Sequence, residues 1–145
     1  MNRCIRKPLP GAARAFLYAF FLACAIFVPL IVYNGGCFLY MGDYNVQQIA
    51  FYKLAHEAVR SGEVFWNWTT DLGANFIGSY SFYLLFSPFF WLTLPFPTQW
   101  VPYLMGPLLI LKTACAALTG YLYIKRFVRD TGWAVTGSLL YAFSG

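Results

Sequence analysis

Charged residues are scarce in this sequence. They make up 10% of the 145 residues, against roughly a quarter in soluble domains, while hydrophobic residues make up 60%. No charge occurs between Arg14 and Asp43, and none between Asp71 and Lys112. A soluble fold of this length cannot hide so much apolar surface behind so few charges, whereas a bilayer accommodates it. The composition therefore predicts an all-α integral membrane protein with several transmembrane helices.

Patterns of metal ligands are also missing. The four cysteines (Cys4, Cys24, Cys37 and Cys115) have no CxxC or similar spacing, and two of them fall inside apolar runs, where cysteine behaves as a small hydrophobe. We therefore expect no zinc site and no disulfide framework. No protein metal site is predicted, and the pattern leaves open whether a divalent cation takes part as a cofactor.

The net charge of +5 is a topology signal rather than a sign of nucleic-acid binding. The basic residues lie at the ends of apolar segments and form no stripe along a folded face. Residues 1–14 form a basic tail that we expect to stay in the cytoplasm. Residues 15–34 then form the first transmembrane helix, in which Pro29 is tolerated and introduces a kink.

Residues 35–79 are predicted to form an extracytoplasmic loop, which holds four of the five acidic residues. Within it, residues 44–61 have the spacing of an amphipathic helix whose apolar face can lie on the membrane surface. Asp43 is typical of a helix start and Gly62 of a helix end. This helix is too short to be a further span.

Three apolar stretches follow. Residues 80–96 are predicted to form a second transmembrane helix, which is short and alternatively re-entrant. Residues 97–102 form a proline-rich turn, and residues 103–124 form a third transmembrane helix. Residues 133–145 begin a further one, so we expect the sequence to be a truncated piece of a longer protein.

The basic residues Lys125, Arg126 and Arg129 conflict with a simple topology. If residues 80–96 cross fully, these residues lie outside the cell, against the tendency of basic residues to remain inside. If residues 80–96 only dip into the bilayer, the basic residues lie inside. We favour the full crossing, because the first helix usually dominates orientation.

Acidic residues of the outer loop are the candidate catalytic groups. Asp43 follows the first span directly, where a carboxylate can act as a general base towards a hydroxyl group. The alternative is that Asp43 only caps the helix. Glu57 returns to within about 40° of Asp43 around a helix, so the two carboxylates can share acid–base work or a divalent cation. The alternative for Glu57 is an ion pair with Lys53 or Arg60.

The candidate binding residues include two further polar groups and several aromatics. His56 can contact a phosphate, or it can be a structural hydrogen-bonding residue. Lys112 lies near the middle of the third span, where an unpaired cation costs at least about 2.5 kcal/mol, so it faces a cavity, finds a partner or snorkels to the interface. Trp66, Trp68 and Tyr80 can stack on a sugar or line a groove for an isoprenoid tail, although an interfacial aromatic belt is the alternative.

From these residues alone, a membrane enzyme, a transporter and a channel subunit all remain open. Two long segments carry a more specific signal. The first segment, residues 42–92, starts GDYNVQQIAFYKLAHEAVRSGEVFWNW. The second, residues 108–145, includes LLILKTACAALTGYLYIKRF and GSLLYAFSG. Both resemble the start of YfhO-type bacterial membrane proteins. The resemblance covers nearly all of residues 34–145, and the first span matches only in character.

The resemblance implies a multi-pass protein of the bacterial cytoplasmic membrane, grouped with the GT-C glycosyltransferases. It implies transfer of a sugar from a polyprenyl-phosphate carrier to an extracytoplasmic cell-wall polymer such as lipoteichoic acid, with inversion at the anomeric carbon. Asp43 takes the place of the catalytic acid in the first outer loop, and the pair His56–Glu57 and Lys112 also match the family pattern. Lys112, Arg60 or the basic residues at 125–129 would offset charge on the carrier phosphate.

A second hypothesis is a non-catalytic transporter or flippase of lipid-linked glycan. Transporters tend to bury their acids near the midplane of the membrane. Here the acids lie in the loop, and Lys112 is the clear charge inside a span. This distribution favours the enzyme.

Overall fold

The structure, a computed structural model, describes residues 10–39, 47–68, 70 and 73–144, without the side chains of residues 80–83. These residues are mostly helical, and they contain no β-strand apart from an isolated bridge between Asn67 and Ala74. The helical content agrees with the all-α prediction. By contacts the chain divides into two units, one of residues 1–28 with 109–145 and the other of residues 29–108.

Among the described residues, two helical stretches are long and apolar enough to cross a bilayer: Gly11–Tyr33, with 23 residues, and Thr98–Ile124, with 27. The first is helix α1. It begins four residues before the predicted span, so that Arg14 of the predicted tail is helical. It ends where Gly35 and Gly36 take positive φ angles of 65° and 97°. Large apolar side chains along α1 are exposed, which suits a helix surrounded by lipid.

Helix α2 (Ile49–Ser61) occupies most of the predicted 44–61 segment and ends at Gly62, whose φ of 79° only glycine adopts readily. The predicted cap at Asp43 lies outside the described residues. The apolar face of α2 is buried in a core with Phe76, Phe90 and Met105. That face therefore packs against protein, whereas its spacing alone predicted contact with the membrane surface.

The predicted second span differs in the structure. Helix α3 (Phe76–Leu84) begins earlier, because Asn75 Oδ1 accepts from the Gly78 N–H at 2.9 Å and caps it. The helix then breaks, since a residue before proline avoids the helical region: Ser87 is extended, and helix α4 (Pro88–Trp91) starts anew. Nine helical residues rise only about 14 Å, less than half of the hydrocarbon thickness. A full crossing by this segment stays a prediction.

Helix α5 (Val101–Ile124) follows a 3-10 turn at Thr98–Trp100 and begins before the predicted residue 103. Pro102 fits into its first turn, where the missing N–H costs nothing. Helix α6 (Thr131–Ala142) starts where Asp130 accepts a hydrogen bond from the Trp133 N–H at 2.9 Å. Whether α6 belongs to a further span stays a prediction.

Small residues bring the helices of the first unit close together. Ala15, Ala19 and Ala23 recur every fourth residue on α1 and are fully buried. Ala15 packs in a cluster with Tyr121 of α5 and Ala134 of α6. Membrane helices commonly pack through such small residues, because lipid provides no hydrophobic drive for their association.

Candidate functional site

Helix α2 carries three of the candidate residues, His56, Glu57 and Arg60. Lys53 and Glu57 are exposed, one helical turn apart, and line a shallow surface hollow with Ile49, Ala50 and Leu54. In the described part of the chain neither side chain makes an ion pair, so the alternative pairing of Glu57 with Lys53 or Arg60 is not seen there. Glu57 therefore presents a carboxylate that an external substrate can reach.

His56 lies on the buried face of the same helix and is 0% exposed. Its Nε2 lies 3.2 Å from the backbone carbonyl oxygen of Thr93, and its Nδ1 lies 2.8 Å from Thr98 Oγ1. Because a carbonyl only accepts, Nε2 donates, and in the neutral ring Nδ1 accepts from the Thr98 hydroxyl. Both ring nitrogens are bonded within the protein, which supports the structural alternative for His56.

Arg60 extends the same connection by one helical turn. Its Nη1 donates to the backbone carbonyl of Phe96 at 2.9 Å. We refer to the three bonds from His56 and Arg60 to residues 93–98 as the 93–98 clamp. The clamp ties α2 to the turn that leads into α5. A guanidinium has five N–H donors, so this bond leaves Arg60, which is exposed, able to bind an anion as well.

The predicted aromatic residues form a small exposed cluster. The rings of Trp66 and Trp68 meet edge to face, with centroids 5.6 Å apart. Gly73 has a φ of 103°, which favours glycine, and a Cβ atom there would lie 3.1 Å from Trp66 and 3.3 Å from Trp68. Backbone hydrogen bonds of 2.9 and 3.0 Å between Asn67 and Ala74 hold the loop. Trp68 is 74% exposed and offers a ring face for stacking.

The remaining candidates are described less fully. Lys112 lies in the middle of α5, is half-buried and interacts with another group. Tyr80 lies on α3, but its side chain is outside the described part, as is the whole of Asp43. The predicted sharing of one face by Asp43 and Glu57 therefore stays a prediction.

The structure also shows partners that sequence reasoning missed. Thr93 and Thr98 are hydrogen-bonded to His56 and lie 37 and 42 residues after it in the sequence. No local sequence pattern predicts contacts between residues so far apart. Among the described residues, no group of three or more His, Cys, Asp or Glu side chains is arranged to hold a metal ion. The described part therefore offers three kinds of chemical group: the accessible carboxylate of Glu57, the guanidinium of Arg60 with one of its donors bonded, and the exposed indole rings of Trp66 and Trp68.

The family described as "Bacterial membrane protein YfhO" matches residues 15–145. No curated protein and no solved structure matches the chain significantly.

Proposed function

The chain belongs to the YfhO family of bacterial membrane proteins, and from this premise we propose that it acts in a membrane glycosyltransferase. The enzyme moves a sugar from a polyprenyl-phosphate carrier to an extracytoplasmic cell-wall polymer such as lipoteichoic acid. The observation that carries the proposal is the arrangement on α2. An accessible carboxylate, Glu57, is presented by a helix that the 93–98 clamp fixes in place.

The proposed reaction is a single inverting displacement. An acceptor hydroxyl attacks the anomeric carbon, a new C–O bond forms, and the bond to the carrier phosphate breaks. Asp43 takes the hydroxyl proton as general base, and the polyprenyl phosphate leaves with the bonding electron pair. Arg60 offsets the negative charge that develops on this phosphate, since its guanidinium keeps donors beyond the one bound to Phe96. A divalent cation is compatible with this scheme but is not required by it.

The roles proposed for the other candidates differ in kind. Glu57 assists Asp43 as a second carboxylate. Trp66 and Trp68 stack on the sugar ring, and Tyr80 lies on the adjoining helix α3. His56 supports the site through the 93–98 clamp instead of touching the phosphate, because both of its nitrogens are bonded within the protein.

The topology proposed for this enzyme places the N-terminus in the cytoplasm and the loop after α1 outside. The break at Ser87 and the short helices α3 and α4 support a re-entrant segment over a full crossing. α5 then returns to the cytoplasm, and the basic residues at 125–129 lie inside with the basic N-terminal tail, as basic residues usually do.

Transport of a lipid-linked glycan is the second candidate function. Lys112 supports it, because a half-buried cation in the middle of a membrane-spanning stretch often marks a substrate pathway. The loop acids support the enzyme instead, since a pathway through the bilayer has no need of carboxylates at its outer surface.

The proposal is tested by deleting the gene and restoring it. The measurement follows radiolabelled sugar as it passes from polyprenyl phosphate into the cell-wall fraction. We expect transfer to be lost on deletion and to return with the gene. If the labelled carrier crosses the membrane only when the gene is present, while transfer to an acceptor is unaffected, the transporter is correct.

A further inference from the structure

A groove between α5 and α6 is not used by the proposed reaction. It encloses about 460 Å³ and is lined by Thr119, Gly120, Tyr123, Ile124 and Tyr141. Its lining is mostly apolar. The Thr119 hydroxyl already donates to the helix carbonyls of Cys115 and Ala116. The volume and lining are those of a site for an apolar ligand or chain.

The groove ends at a basic loop. Ile124 lines the groove, and residues 125–130 follow it directly. Lys125 Nζ donates to the backbone carbonyls of Val128 and Arg129, so its role is to close the loop. The Asp130 carboxylate is occupied as the cap of α6.

The other two cations of this loop are available. Arg126 and Arg129 are exposed, and within the described residues neither guanidinium has a hydrogen-bond or ion-pair partner. Two guanidinium groups next to an apolar groove complement a ligand with a hydrocarbon chain and a phosphate group.

Exposed aromatic residues indicate that this loop lies at the height of the lipid headgroups. The rings of Tyr123 and Phe127 contact each other at a tilt of 59°, with centroids 5.3 Å apart. These two residues are 64% and 73% exposed, and Trp133 is 73% exposed. Aromatic residues concentrate at membrane–water interfaces. The basic loop then lies among the headgroups, and the groove lies beside the acyl chains.

We propose that the junction of α5 and α6 binds an anionic phospholipid of the bilayer, with an acyl chain in the groove and the phosphate between Arg126 and Arg129. An anionic lipid fits better than a zwitterionic one, whose own cation competes with these guanidinium groups. Basic sites between membrane helices recognise anionic headgroups in this way. The inference does not rest on sugar transfer.

The test measures lipid binding to the purified protein in non-ionic detergent by native mass spectrometry. The probes are phosphatidylglycerol, phosphatidylcholine and undecaprenyl phosphate. We expect phosphatidylglycerol to bind most tightly. Arg126→Gln with Arg129→Gln should weaken its binding about 30-fold, since each basic residue near a membrane surface contributes about fivefold. Arg126→Lys with Arg129→Lys keeps the charge and should retain most of the binding.

Two further variants separate groove from charge. Thr119→Phe fills the groove and should weaken binding of phosphatidylglycerol while leaving the basic loop intact. Lys53→Gln removes one charge on α2 and should change nothing. The proposal is overturned if the glutamine pair binds like the wild type, if the two phospholipids bind equally, or if undecaprenyl phosphate is preferred. If the double variant Arg126→Gln with Arg129→Gln does not fold, the binding of phosphatidylglycerol to Thr119→Phe decides the question, and binding like that of the wild type overturns the proposal.

Discussion

At the scale of single residues, polar side chains in this molecule are used to join segments that are distant in sequence. His56 is 0% exposed, and its imidazole bridges the carbonyl of Thr93 and the hydroxyl of Thr98. Removing either partner leaves a buried polar atom without a hydrogen bond, which costs about 1–3 kcal/mol. The 93–98 clamp should therefore contribute measurably to stability.

A double-mutant cycle tests this contribution. We expect His56→Leu and Thr98→Val each to lower the free energy of unfolding by about 1–3 kcal/mol. The double variant should lose less than the sum, because the two side chains share one hydrogen bond. The measurement is thermal or denaturant unfolding in detergent, followed by circular dichroism.

The control for this cycle is Lys53→Leu, an exposed substitution on the same helix, which should change stability by no more than about 0.5 kcal/mol. Strict additivity of His56→Leu and Thr98→Val would contradict the shared bond.

At the scale of elements, helix ends depend on single capping residues and prolines. Asp130 caps α6 and Asn75 caps α3, while Pro88 breaks the helix that the sequence pattern had extended to residue 96. Neither helix has an acidic residue in its first turn, so the capping side chain is what stabilises that turn.

Substitution of Asp130 shows the effect of one cap. Asp130→Ala removes the acceptor for the Trp133 N–H and should cost about 1 kcal/mol of stability. Asp130→Asn keeps an acceptor oxygen and should cost little. Unfolding midpoints of the two variants, compared in the same detergent, provide the check, and equal losses would argue against the cap.

The elements that could be predicted are those with long apolar runs or clear stop signals. Helices α1 and α5 lie close to the segments that hydropathy predicts. Helix α2 ends at Gly62, where the glycine predicts a helix end. The sequence predicts a loop for the start of α3, because Phe76–Ser79 follow a segment rich in glycine and asparagine. The partners of His56 could not be predicted, since tertiary packing brings residues 93–98 to α2.

At the scale of the whole molecule, topology connects the proposed enzyme with the proposed lipid site. The re-entrant segment proposed between α2 and α5 would put the acidic loop outside and the basic loop inside. The anionic phospholipid would then belong to the cytoplasmic leaflet, whose negative potential attracts basic residues.

Cysteine labelling measures this topology. In a background without the native cysteines, Glu63→Cys should react with a membrane-impermeant maleimide in intact cells. Arg129→Cys should react only after permeabilisation. Both positions are exposed, so a difference reports the side of the membrane. Labelling of Arg129→Cys in intact cells would show that residues 80–96 cross fully.

The most direct test of the central claim is sugar transfer by three variants at equal membrane abundance. Asp43→Asn keeps the size and capping ability of the side chain but removes the base. We predict that it lowers transfer by at least about a hundredfold, and that Glu57→Gln also lowers it. Glu63→Gln, a matched exposed glutamate nearby, should match the wild type. Wild-type transfer by both Asp43→Asn and Glu57→Gln would contradict the proposed glycosyltransferase mechanism.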